Sequence, residues 1–120
     1  MTNEEINALT DQQINVMMTI SINSIDKSRI EHIGDTCLFV TNHDRPEGAD
    51  CYLIEDFCNN PSVMMPIVFE NGIGLFPNRM GLGESDLWTA AYSIYKRNNY
   101  THTNPLRAAA IVYLKMKGVL

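Results

Sequence analysis

Two short phrases fix the start of two helices in this chain and narrow what it can become. Asn60-Pro61 precedes an apolar run that stops at Gly72, and Asn104-Pro105 precedes another that stops at Gly118. An Asn side chain at a helix start accepts from a free backbone N–H. Proline in the first helical position gives up a donor that has no partner there. Glycine past the last turn takes the left-handed backbone angle that closes a helix. The spacing predicts helices over 61–71 and 105–117, with Asn60 and Asn104 as their structural caps.

The later helix is apolar on nearly every side from Leu106 to Leu114, so the rest of the fold must cover most of its circumference. Ala108, Ala109 and Ala110 let its backbone come close to a sheet. Lys115 and Lys117 suit the negative end of the helix dipole, whereas Arg107 sits in the first turn beside positive partial charge. Arg107 therefore calls for a carboxylate or carbonyl partner, and Asp56 and Glu70 are the candidates. In the earlier helix Pro66 removes a backbone bond and is expected to bend it, with Met64 and Met65 able to fill the gaps.

Thr10-Asp11-Gln12-Gln13 has the form of a capping box and predicts a helix over 11–21, against a competing strand alternation through Ile14, Val16, Met18, Ile20 and Ile22. Residues 23–35 are polar and irregular. Thr36–Thr41 reads as a strand, Cys51–Ile54 as a short strand or an extended approach to Asn60, and Ile73–Phe76 as a strand. Leu87–Tyr95, with Trp88, Ala90, Tyr92 and Ile94 alternating, reads as a strand pairing back to 73–76. Residues 42–48 are a turn-rich loop and 77–86 a Gly-rich one. The fold class is α+β: a small, mainly antiparallel sheet packed with helices in the order α-β-α-β-β-α, sandwich-like. A length of 120 residues suits one domain, with residues 1–8 a candidate for disorder.

With 45% hydrophobic and 19% charged residues the composition is that of a folded globule rather than a disordered chain. No run approaches the ~20 apolar residues of a membrane span, and the acidic, polar start is the reverse of a secretory signal. A cytoplasmic protein with no membrane partner is expected. Cys37, Cys51 and Cys58 lack paired-ligand spacing and read as reduced thiols, and His32, His43 and His102 are scattered, so no metal site is expected. The Gly72-Ile-Gly74 and Gly81-Leu-Gly83 pairs lack the strand–helix setting and third glycine of a dinucleotide loop and read as turns. No cofactor is expected.

The paired segments Cys58-Asn59-Asn60-Pro61 and Asn104-Pro105-Leu106-Arg107-Ala108-Ala109, with Pro66-Ile67-Val68-Phe69-Glu70-Asn71-Gly72-Ile73 between them, resemble the NinX-like family of small phage and prophage proteins of unknown function. Leu9-Thr10-Asp11 with Ile14-Asn15 is similar to that family's N-terminal helix start, and Trp88 with Ala90 fits its lone tryptophan. The chain departs from the family at Val63-Met64-Met65, where members often carry Asp-Ala-Trp. The resemblance implies a phage or prophage origin, a bacterial host cytoplasm and a small sheet between helices. It implies no activity.

Three functions follow in order. The first is a non-enzymatic phage accessory protein that binds a host or phage protein. The second rests on charge: residues 1–60 hold 3 basic and 11 acidic side chains, residues 61–120 hold 6 and 3, and no acid follows Asp86. That basic C-terminal third could bind nucleic acid or a nucleotide, with Trp88, Tyr92 or Tyr100 stacking. The third is a small enzyme at the paired helix starts, where free N–H groups favour an anion. Its site residues would be Asp56, Asn59, Trp88 and Arg107, beside the caps Asn60 and Asn104.

Overall fold

Both Asn-Pro phrases begin helices. The computed structural model describes residues 1–41, 49–77, 86–92 and 97–120. Its helices are α1 (Asn3–Asn7), α2 (Asp11–Ile22), α3 (Pro61–Glu70) and α4 (Pro105–Met116). Asn60 accepts from the Ser62 N–H at 3.1 Å, and Asn104 from the N–H groups of Leu106 and Arg107 at 3.0 and 3.3 Å. Thr10 closes a capping box with Gln13, and Thr2 closes another with Glu5. That second box orders residues 3–7 within the segment read as a candidate for disorder. The helix over 11–22 settles the helix–strand competition there, and α3 continues through Pro66.

The helix ends use left-handed residues. Gly72 and Gly118 have φ of 64° and 73°. After α4 the Val119 N–H donates to the Leu114 carbonyl at 2.9 Å and the Gly118 N–H to that of Lys115 at 3.1 Å, which satisfies two carbonyls of the last turn. After α2 the same pair of bonds forms from Ile25 to Ile20 and from Ser24 to Ser21, but the left-handed residue is Ser24, with φ 51°.

Strands β1 (Ile30–Ile33), β2 (Cys37–Thr41) and β3 (Ala49–Leu53) make one antiparallel sheet in that order. Strands β4 (Ile73–Pro77), β5 (Trp88–Tyr92) and β6 (Arg97–His102) make a second. The fold class is the expected α+β, and β4 and β5 pair as read. The antiparallel layer is split into two sheets. β1 lies in the span read as irregular, after a single 3-10 turn at Lys27–Arg29, and β6 lies beyond the last strand read from sequence. Both carry little hydrophobic alternation: β1 is mostly exposed, and both pair through a register shift. The expected loops over 42–48 and most of 77–86, with Gly81, Gly83 and Ile94, lie outside the described residues.

Helix α4 is the centre of the molecule. The β4–β5–β6 sheet packs on one side of it and α2 and α3 on another. Every residue from Arg107 to Leu114 is buried, as its apolar circumference requires. Ala108, Ala109 and Ala110 are fully buried, with side chains too short to hold the neighbouring layers apart. Ile6, Ile14, Met18, Phe57, Met64 and Tyr100 pack into the same core. Among the described residues no helix is long and apolar enough to cross a membrane.

The β1–β3 sheet stands to the side of this core. Its buried residues Leu38 and Val40 belong to one face and are not part of the main cluster. Strand alternation and register put Cys37, Phe39, Cys51 and Leu53 together on the other face, which looks outward. A shallow groove of about 290 Å³ runs between α2 and β1, lined by Leu9, Val16, Met17 and Ile33 with Gln12 and Gln13.

Candidate site at the helix starts

The N-termini of α2, α3 and α4 converge, and their polar side chains bond to one another. Asn104 is the link between two of them. Its Oδ1 caps α4, while its Nδ2 donates to the Cys58 carbonyl at 2.7 Å and to Asn59 Oδ1 at 3.3 Å, just before α3. Asn59 Nδ2 donates onward to Asp11 Oδ2 at 3.2 Å and Asp56 Oδ1 at 3.1 Å. Asn15, 5% exposed, donates from Nδ2 to the same Asp56 oxygen and accepts the Cys58 N–H through Oδ1.

Arg107 reaches past this group to the start of α2. Its Nη1 donates to Asp11 Oδ1 at 2.7 Å, and its Nη2 donates to the carbonyls of Leu9 at 2.7 Å and Ile6 at 3.3 Å. The requirement for a carboxylate and carbonyls is met, but the carboxylate is Asp11 rather than Asp56 or Glu70. Three helix N-termini and one guanidinium gather positive charge here, and Asp11 and Asp56 oppose it.

The environment sets three ionisations. Burial alone would raise the pKa of Asp11, but hydrogen bonds from Arg107 and Asn59 outweigh it and hold the carboxyl below its usual range. Burial, with the charge of Asp11, pushes the Cys58 thiol up to about 12, so it stays protonated and unreactive. Burial, aided by the Arg107 charge, lowers the pKa of His102, whose Nδ1 accepts the Asn104 N–H at 2.9 Å.

Asp56, Asn59 and Arg107 are therefore brought into one network, with Asn104 at its centre. Asn60 serves its own helix through Ser62, and Trp88 meets the cluster only by lying opposite His102 across β5 and β6. Asp11, Asn15, Cys58 and His102 were not among the residues singled out for this site. Asn15 and Thr19, one turn apart on the face that buries Ile14 and Met18, are the signal that could have found the first two elements of the network. Apart from Arg107 Nε, which is buried without a hydrogen-bond partner, the donors and acceptors named here are engaged with one another, which makes the arrangement a clasp holding three helix starts in register. No group of three or more His, Cys, Asp or Glu side chains able to hold a metal occurs among the described residues.

Three described cations of the C-terminal third are likewise engaged. Arg107 is buried, Lys115 donates to the Asn99 carbonyl at 3.0 Å and lies over the Tyr100 ring, and Lys117 lies over Tyr113. Tyr100 is buried, with its hydroxyl bonded to Asn7, so it offers no face for stacking a base. Tyr92 is exposed and Trp88 is half-buried. Lys96 lies outside the described residues.

The chain matches no protein-family model, and no curated protein or solved structure was found to be similar.

Proposed function

We propose that this chain is a phage or prophage accessory protein that works by binding another protein, and that it docks through the outward face of β1–β3. The observation that carries the reading is the exposure of large apolar side chains there: Leu53 is 62% and Phe39 37% exposed, on one face of adjacent strands. A contiguous apolar face left open by a small domain is a common mark of an interaction surface. Residues 30–55, which include this sheet, hold six acidic side chains and one basic. The fitting partner is a protein with an apolar centre and a basic surround. The phage origin rests on the NinX-like resemblance. A helix-start network whose polar groups, Arg107 Nε apart, serve one another supports a structural role for that region.

Affinity capture from infected or lysogenic bacteria tests the reading, comparing the parent chain with a Phe39→Asp/Leu53→Asp double variant. A single stoichiometric protein should be retained by the parent, lost by the variant, and released progressively as salt rises. Matching far-UV spectra and melting curves would show that the variant is folded. Equal capture by both chains, or no stoichiometric protein with either, would sink the proposal.

A further inference from the structure

We propose that Cys37 and Cys51 form a reversible dithiol–disulfide pair on the outward face of the β1–β3 sheet. Register pairs Cys37 with Leu53 and Phe39 with Cys51, which makes the two cysteines diagonal neighbours on one face of adjacent strands. Both are free, Cys51 is exposed and Cys37 is partly so. The neighbouring Cys37 side chain raises the Cys51 pKa. The Thr36 hydroxyl also points at the Cys37 sulfur, at 3.9 Å. Cys58, fully buried, is outside this chemistry.

The oxidant is a hydroperoxide. The thiolate of one cysteine attacks one peroxide oxygen, the O–O bond breaks, and the departing oxygen leaves as water after taking a proton. The resulting sulfenic acid is attacked by the other cysteine's sulfur, which gives up its proton. The S–S bond forms as the S–O bond breaks, and a second water leaves. Two thiols lose two electrons in total, and hydrogen peroxide becomes two waters. A small dithiol reverses the step by exchange.

Geometry favours a switch over a permanent staple. Diagonal neighbours in a sheet lie roughly 7–8 Å apart at Cα, beyond the roughly 5.5–6 Å most common for disulfides. β2 and β3 must shear slightly to close the bond, and a strained, exposed disulfide is readily reduced. The second thiol is held nearby by the sheet, so ring closure outcompetes coupling between dilute molecules. The inference does not depend on any partner docking on this face.

The test treats the reduced full chain with a modest excess of hydrogen peroxide, then blocks free thiols with N-ethylmaleimide under denaturing conditions. The expected product is a monomer lighter by two hydrogens, blocked only at Cys58, with a mapped link between Cys37 and Cys51 that dithiothreitol removes. Cys51→Ser, a change at an exposed position, should abolish this product. The idea falls if all three thiols are blocked after treatment, if Cys37 and Cys51 are instead driven to sulfinic acids, or if only intermolecular dimers appear.

Discussion

His102 and Asp11 lie at opposite ends of one network, and each gives it a separate dependence on pH. His102 must keep Nδ1 free of a proton to accept the Asn104 N–H. Burial and the Arg107 charge lower its pKa from 6.5, so the unfolded chain takes up a proton before the folded one does. Stability therefore falls as pH drops from about 6.5 toward the lower folded value, and this group contributes no further slope below it. Asp11 behaves as a carboxylate held ionised: its contribution is complete above the unfolded value of 3.8 and is lost as pH falls through the lower folded one. Urea unfolding across pH should show His102→Ala flattening the upper window and Asp11→Asn the lower. Curves for both variants parallel to that of the parent would mean the network does not couple to folding. Arg107 shows how far a residue can be read alone. Its place in a first helical turn demands an acceptor, and that much is legible. The acceptor is Asp11 because α2 lies against α4, and which helices lie together is not a property of either segment.

Caps are local chemistry, which is why the ends of α2, α3 and α4 were legible to within a residue or so while β1 and β6 were not. Asn60, Asn104, Gly72 and Gly118 each act within a few residues of their own position. β1 and β6 exist because of distant partners: Ile30 pairs with Val40 and Tyr100 with Ala90, and neither strand carries an alternating pattern of its own. The helix termini also differ in what they hold. Asn60 satisfies one N–H of α3, so Asn60→Ala should cost about 1 kcal/mol. Asn104 satisfies two N–H groups of α4 and also donates to Cys58 and Asn59, so Asn104→Ala should cost roughly 2–3 kcal/mol by leaving more groups without partners. At the end of α2 the sign reverses. Ser24 holds a left-handed angle that costs an L-residue roughly 1–2 kcal/mol, and glycine avoids this while losing more chain entropy on folding. Ser24→Gly should raise stability by about 0.5–1 kcal/mol. Chemical denaturation of the three variants checks the order: Asn104→Ala lowest, then Asn60→Ala, then the parent, with Ser24→Gly highest.

At the scale of the molecule the two sheets differ in what backs them. The β4–β5–β6 sheet lies against α4, whose residues Arg107–Leu114 are buried without interruption. The main core takes Ile73, Ala90 and Tyr100 from that sheet and none of the buried residues of β1–β3. Leu38 and Val40 are covered, but they belong to a separate, smaller contact, and the opposite face of their sheet is open at Phe39 and Leu53. Opening β1–β3 exposes less apolar surface than opening the layers around α4, so its free energy should lie below that of global unfolding. Native-state hydrogen exchange resolves the two. Amides of Leu38, Phe39 and Val40 should exchange through an opening with little dependence on denaturant. Amides of Ile111, Val112 and Leu114 should exchange only with global unfolding and show its full denaturant slope. Closing the Cys37–Cys51 link should slow the first group by holding β2 to β3 and leave the second nearly unchanged. If the β2 amides instead exchange at the global rate in the reduced protein, the two sheets form one cooperative unit, and the separation of a rigid α4 core from an independently opening β1–β3 sheet is wrong.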